Sequence, residues 1–151
     1  MREISLSRLV IAATFLVLGA SACFLPLEPD GVVRTLKPAS IVFHTDSAEV
    51  IAPSTVFVGE PFEVTVSTFG GGCTSFGETR LSVSGLTAEI RPYDSEVTHA
   101  PKNYGCTGEL LILSHTVTLD FNRRGRALIW IYGRSQPDGE LVAFAREVDV
   151  R

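Results

Sequence analysis

The sequence predicts an all-β protein, and three observations support this fold class. Branched and aromatic residues, which favour a pleated and half-buried surface, are abundant after residue 40. No window of the chain shows the apolar spacing of an amphipathic helix. Short apolar segments recur instead between turns that contain glycine, proline or asparagine. We therefore expect an antiparallel β-sandwich of about seven to nine strands.

The expected strands follow one another from residue 41 to residue 150. The clearest is 62–67, in which Phe62, Val64 and Val66 alternate with polar residues and share one face. Pro53 interrupts the segment before it, as suits an edge strand. Further along, the alternation slips at Gly85, which indicates a bulge or a turn. The expected strands cover residues 41–44, 49–58, 62–67, 80–91, 107–121 (one long strand or two short ones), 127–132 and 141–150.

Two segments resemble a known class of domain. In residues 58–66 (VGEPFEVTV) a turn leads directly into an alternating strand, and residues 117–129 repeat this layout around a hairpin loop. Both look like parts of the immunoglobulin-like sandwiches of bacterial cell-surface proteins, a resemblance that covers residues 41–151. It implies the sandwich fold and says little about activity. The tryptophan and cysteine pair of true immunoglobulin domains are not matched, because Trp130 follows both candidate cysteines.

The first 23 residues have the layout of an export signal. A charged start precedes an apolar run at 9–18, and small residues follow as far as Cys23. This order is typical of a secretory signal peptide, and the apolar run is short for a membrane-spanning helix. The junction at 20–23 (ASAC) resembles the lipobox of bacterial lipoproteins, whose cysteine is acylated and becomes the first mature residue. We expect a signal peptide at 1–22, lipidation of Cys23, a lipid-anchored tether at 23–38 and the sandwich domain at 39–151.

The same junction permits a second interpretation. Residues 20–22 also fit the A-x-A pattern of ordinary signal cleavage, and Ala20 stands where a lipobox usually has leucine. Lipidation of Cys23 leaves Cys73 and Cys106 as an even pair, which favours the lipoprotein. Phe24, rather than the aspartate that retains lipoproteins at the inner membrane, follows the cysteine. The resemblance therefore implies the outer membrane or the cell surface, and the alternative is a soluble periplasmic or secreted protein.

Cys73 and Cys106 both lie in Gly-rich segments between expected strands. In an oxidising envelope we expect them to form a disulfide that ties two long loops together. Phe69, Phe76 and Tyr104 lie near these cysteines in the sequence and form a possible binding surface, since loops on a rigid scaffold often carry recognition. The other interpretation is that the three rings cover the disulfide and fill the end of the core.

Metal binding and catalysis find little support. Cys73, His99, Cys106 and His115 are ligand types that zinc accepts, but their spacing does not fit a compact site. His115 lies on the apolar phase of its strand and is expected to be a hydrogen-bonded core or edge histidine. No hydrolase, metalloprotease or nucleotide-binding motif is present. We expect no catalytic residue, no metal and no cofactor.

Charge narrows the choice of partner. The chain has a formal net charge of −4, which argues against nucleic acid, because binding phosphates requires a basic face. Arg123, Arg124 and Arg126 form a cluster in one hairpin. It is either a solvated turn or a contact for anionic head groups or surface glycans.

These observations favour a lipid-anchored envelope module that binds another envelope protein or structures a larger assembly, without catalysis. The alternative is a secreted domain that binds a small ligand or a glycan with the Cys73 and Cys106 loops. A third and weaker hypothesis is an enzyme of unrecognised type, which a cleft with a hydrogen-bonded Ser–His–Asp set would support.

Overall fold

The computed structural model describes residues 31–151, and every regular element in that part of the chain is a strand. In chain order the strands are β1 (Val33–Pro38), β2 (Ser40–Phe43), β3 (Asp46–Ser47), β4 (Val50–Ile51), β5 (Thr55–Val56), β6 (Phe62–Gly70), β7 (Thr74–Ser84), β8 (Thr87–His99), β9 (Leu111–Leu119), β10 (Gly125–Gln136) and β11 (Leu141–Val150). The all-β prediction is confirmed. The expected signal peptide and the expected lipidation site, Cys23, lie outside the described residues.

The described strands number eleven, more than the expected seven to nine. Part of the excess comes from residues 49–58, which Pro53 divides into two short strands, β4 and β5. The slip at Gly85 is a tight turn between β7 and β8, where the glycine has a φ of 63°. Residues 107–121 give one strand, β9, rather than two. Within residues 31–151 no helix has the length and apolar character needed to span a membrane.

The strands join in one curled, mixed sheet that folds over its own core. Strand β8 pairs with β7 along one edge. Along its other edge, the first part of β8 pairs with β10 and the last part pairs with β1. Strand β10 pairs with β11 along one edge. Along its other edge, it pairs first with β8 and, towards its end, with β2. Strand β6 pairs with β9, β4 and, through Ser40, with β2. Strand β2 therefore connects the half of the sheet around β8 and β10 to the half around β6 and β9.

The expectation of a purely antiparallel arrangement is wrong. Strand β10 runs parallel to β8 and to β2, and β11 runs parallel to β5. Strand β9 lies between β8 and β10 in the chain but pairs with β6, in the opposite half of the sheet. The chain thus crosses from the half around β8 to the half around β6, and then crosses back. Because it crosses twice, β10 runs parallel to β8.

The expected tether extends too far into the chain. Residues 33–38 form β1, which pairs with β8 in antiparallel register. The Nη1 group of Arg34 donates hydrogen bonds to the carbonyl oxygen of Cys73 and to Oγ of Ser75, both at 3.2 Å. Pro38 is tolerated because β1 lies at an edge of the sheet. Residues 33–38 therefore belong to the folded domain.

The core fills the space between the two halves of the sheet. Val64 and Val66 of β6 are fully buried, and Phe62 packs against them from one end, which confirms the shared face of this strand. Strand β10 contributes Ile129 and Ile131 from the opposite half. The remaining buried apolar residues of the core cluster are Ile41, Ala48, Val56, Ala88, Ile90, Leu119, Phe121, Ala127, Val148 and Val150. Their burial is the main favourable contribution to folding.

We predict that Gly133→Ala destabilises the domain. Gly133 lies where β10 passes β2, and a Cβ atom there would lie 2.6 Å from the carbonyl oxygen of Ala39 and 2.7 Å from Cγ2 of Ile41. Backbone must shift to admit it, so the free energy of unfolding should fall by about 1–3 kcal/mol, measured by urea unfolding. The control is Gly108→Ala, where the added Cβ meets nothing within 4 Å. Equal stability of the two variants would contradict this account.

Candidate interaction surface

The outward phase of β8 and β10 carries a group of large side chains on a regular sheet. We call Arg91, Tyr93, Trp130 and Tyr132 the outer aromatic cluster. In β10 the two aromatic residues alternate with the buried Ile129 and Ile131, and in β8 the outward residues alternate with buried ones. Since successive side chains of a strand point to opposite faces, the same alternation that builds the core places this cluster outside.

Cation–π contacts hold the cluster in place. The guanidinium carbon of Arg91 lies 4.2 Å from the ring centroid of Tyr132, and that of Arg80, on β7, lies 4.5 Å from the ring of Tyr93. The rings of Trp130 and Tyr132 are 6.4 Å apart. A hydrogen bond of 2.8 Å to Glu89 raises the pKa of Arg91, which therefore stays charged. Such contacts restrict the side chains before any partner arrives.

A shallow groove runs beside the cluster. It has a volume of about 130 Å³ and is lined by Pro38, Arg91, Pro92, Tyr93, Tyr132, Gly133 and Leu141. Leu141 is 79% exposed, the largest exposure among the large hydrophobic side chains of the described chain. Ala143 and Ala145 are the cross-strand neighbours of Tyr132 and Trp130 on β11. The large aromatic side chains therefore lie beside a row of small ones. The difference in size leaves a recess against which a complementary surface can pack.

The sequence alone gives only a partial signal for this cluster. A usable signal existed in β10, because aromatic residues on the polar phase of an alternating strand have no core to fill. In β8 the signal was absent. Residues 92–99 begin with a proline and are mostly polar, so they were not expected to form a strand, and the outward position of Tyr93 could not be predicted.

The disulfide between Cys73 and Cys106 is confirmed. The two Cα atoms are 5.1 Å apart and the closed loop spans 33 residues, which corresponds to about 3–4 kcal/mol of stabilisation in the chain-entropy model. Because the two sulfur atoms bond to each other, they cannot act as thiolate ligands. Within residues 31–151 no group of three or more His, Cys, Asp or Glu side chains is arranged to hold a metal ion.

The structure places the three aromatic residues expected near the disulfide in different surroundings. Phe69 packs against the core and has its ring 5.8 Å from that of Phe43. Phe76 lies over the ring of His115 at 4.7 Å and keeps 54% of its surface exposed. Tyr104 is half-buried in the loop before β9, where its N–H donates to the carbonyl oxygen of Pro101. A joint binding role for Phe69, Phe76 and Tyr104 stays a prediction.

A second, more open cleft lies at the disulfide end of the domain. It has a volume of about 210 Å³ and is lined by Phe43, Gly70, Gly71, Thr107, Gly108, Glu109, Leu110 and Gln136. Its three glycines have no side chains that would fill the cleft, and Phe43 and Leu110 supply its large apolar side chains. Of the expected aromatic residues, Phe69 lies next to the cleft through its contact with Phe43.

Four side chains form a polar cluster between the halves of the sheet, which we call the buried polar cluster: Thr68 of β6, Thr79 of β7, Asp94 of β8 and His115 of β9. Thr79 is half-buried and the other three are buried. Nε2 of His115 lies 2.9 Å from Oδ1 of Asp94, and Nδ1 lies 2.8 Å from Oγ1 of Thr79. Thr68 donates to the other carboxylate oxygen at 3.0 Å. Of the two expected positions for His115, hydrogen-bonded in the core or at an edge, the structure shows the core position. The side chains of His115 and Asp94 are 0% and 1% exposed, so a substrate has no surface on which to reach them.

A group of charges borders this cluster. Arg134 pairs with Glu96, which also pairs with Lys37 at 3.1 Å. Burial lowers the pKa of Arg134, and the nearby Asp94 offsets only part of this effect. Nε of Arg134 is buried without a hydrogen-bond partner. These contacts tie the end of β10 to β8 and β1 and leave little of the charge free to act on a ligand.

Comparisons of the chain with protein-family models, with curated proteins and with solved structures found no match.

We predict that Asp94→Ala strongly destabilises the domain. The substitution removes the acceptor of both Thr68 and His115, and each buried donor left unpaired costs about 1–3 kcal/mol. Thermal unfolding should show a lower Tm by several degrees or more. Asp149→Ala is the control, because that carboxylate is exposed and binds only Arg151 in a surface pair. A Tm unchanged by Asp94→Ala would show that the buried polar cluster does not hold the two halves together.

Proposed function

We propose that this protein is a lipid-anchored module of the bacterial cell envelope, with an immunoglobulin-like arrangement of its curled sheet, that binds another envelope protein without catalysing a reaction. The outer aromatic cluster carries the binding part of this proposal. Tryptophan, tyrosine and arginine are enriched among the residues that dominate the energy of protein–protein interfaces. Here they stand together on two strands, and cation–π contacts hold Arg91, Tyr93 and Tyr132 in place.

The size and rigidity of this surface favour a protein partner. The cluster and the row of small residues on β11 form an extended, nearly open face, and the groove of about 130 Å³ is small beside the pockets that enclose whole small molecules. Sites built on strands hold their side chains more firmly than sites on loops. A folded partner that places an apolar projection against Trp130 and Tyr132 would use both features.

The absence of catalysis is supported by the position of the candidate chemical groups. The set that comes nearest to a catalytic triad is Thr79, His115 and Asp94, in which a hydroxyl, an imidazole and a carboxylate are hydrogen-bonded in series. A triad works only where its hydroxyl meets a substrate beside oxyanion-binding groups. Here the imidazole and the carboxylate have no exposed surface, and Phe76 covers the ring.

The anchor is supported by the lipobox-like junction and by the pairing of the other two cysteines. Because Cys73 and Cys106 are bonded to each other, Cys23 is the one cysteine of the chain left for acylation.

We predict that the protein recovered from bacterial membranes begins at Cys23 and carries acyl chains. Intact mass measured before and after reduction should show the acylated mass and then a gain of two hydrogens. An unacylated chain would overturn the anchor.

A second candidate function is the binding of a small ligand or a glycan at the disulfide end. The observation that favours it is the cleft of about 210 Å³ between Phe43 and Leu110. Its lining is glycine-rich, and Phe76 and Tyr104 do not take part in it. Gly71 offers a way to test this cleft, because it lines the cleft and a Cβ atom added there meets nothing within 4 Å.

We predict that Trp130→Ala combined with Tyr132→Ala abolishes partner capture in crosslinking pull-downs from intact cells. The change removes the apolar part of the outer aromatic cluster and should leave Tm close to that of the unchanged protein, since both residues lie on the outer face. The matched control is Gly71→Phe, which fills the cleft and should retain the same partner. Loss of binding in Gly71→Phe alone would favour the cleft, and capture of no partner by the unchanged protein would argue against a binding module.

A further inference from the structure

The chain enters the folded domain at the end that carries the disulfide. Val33, the first residue of β1, pairs with His99, the last residue of β8. Arg34 donates to the carbonyl oxygen of Cys73, and the same oxygen accepts from the N–H of Val97. Gly31 approaches Pro101, at the start of the loop that leads to Cys106. The described chain therefore starts beside this loop.

The opposite end of the domain carries the hairpin of Arg123, Arg124 and Arg126, which we call the arginine hairpin. Strand β8 has 13 residues, which separates its two ends by about 40 Å. At its far end lies Gly85, and a side chain added there would meet Nη2 of Arg123. From Cys23 to β1 the intervening residues 24–32 can extend at most about 30 Å. An anchor at Cys23 thus holds the disulfide end near the bilayer more readily than the arginine hairpin.

The disulfide end has the surface chemistry of a membrane-facing contact. Val33, Leu110 and Ile112 each keep half or more of their surface exposed there. Tyr104 is half-buried in the loop and Lys102 is exposed. Tyrosine places an apolar ring at the membrane interface with its hydroxyl in water, and lysine extends its amine towards head groups while its stem covers apolar surface. Exposed aliphatic residues supply the area that shallow insertion buries.

We propose that the disulfide end of the domain rests on the lipid bilayer that holds the anchor, with Leu110, Ile112 and Tyr104 at the level of the head groups. This inference rests on the proposed acylation of Cys23, which supplies the second membrane contact. A single weak interfacial patch gives only reversible binding, whereas attachment and patch together keep the domain in one orientation. The outer aromatic cluster then lies on the side of the domain, open to a partner, and the arginine hairpin faces away from the membrane.

The experiment measures which end of the domain touches lipid. In a Trp130→Phe background, a single tryptophan is introduced by Leu110→Trp, by Tyr104→Trp or, at the far end, by Arg123→Trp. Each acylated protein is reconstituted in brominated phosphatidylcholine vesicles, where bromine quenches only tryptophan that enters the bilayer. We expect several-fold stronger quenching for Leu110→Trp and Tyr104→Trp than for Arg123→Trp. Having two positions at the disulfide end protects the test against one variant that perturbs the cleft.

Two outcomes overturn the inference: no quenching at either disulfide-end position, or equal or stronger quenching at residue 123, which would mean that the domain stands free of the bilayer or lies on another face. Failure of the anchor is recognised separately. Intact mass reports whether Cys23 is acylated, and an unacylated chain beginning at Cys23 can be coupled through that thiol to a maleimide lipid. Quenching of the coupled protein then tests the orientation even if the cell does not acylate it.

Discussion

The arrangement of this domain depends on the buried polar cluster of Thr68, Thr79, Asp94 and His115. Each of the four residues comes from a different strand, and together they connect β7 and β8 to β6 and β9. Apolar packing favours bringing the two halves together but specifies their relative position weakly, because it is not directional. Hydrogen bonds in a dry interior have to be satisfied in one geometry. The cluster therefore fixes how the sheet curls over its core.

The same curl explains why the two faces of β8 and β10 can serve different purposes. Residues of one phase point into the core, where Ile90, Ile129 and Ile131 are fully buried. Residues of the other phase point away from the core. Among them, Arg91 and Tyr132 form a cation–π contact on the outer face of the sheet. Strong packing beneath the sheet holds the strands still, so the outer side chains keep their positions without a loop to support them.

The two ends of the domain differ as much as its two faces. One end combines the chain entry at Val33, the disulfide, exposed aliphatic residues and an open cleft. The other combines the tight turn at Gly85 with the arginine hairpin. Arg126 at that end pairs with Glu147 of β11 on the surface, an arrangement that suits a solvated turn. This polarity follows from the topology, since β8 and β10 run parallel and bring like ends of distant segments together.

The sequence by itself determined the all-β class, the inward phase of β6 and the pairing of Cys73 with Cys106, because alternation, turn residues and cysteine parity are local or countable. It also indicated a hydrogen-bonded position for His115, in the core or at an edge. Only the tertiary structure decided that Val33–Pro38 is a strand rather than a tether, that β10 runs parallel to β8, and that Asp94 and Thr79 hydrogen-bond the imidazole of His115. These features depend on contacts between residues far apart in the chain, and residues 92–99, mostly polar, become a strand only because β7 and β1 pair with them on both edges.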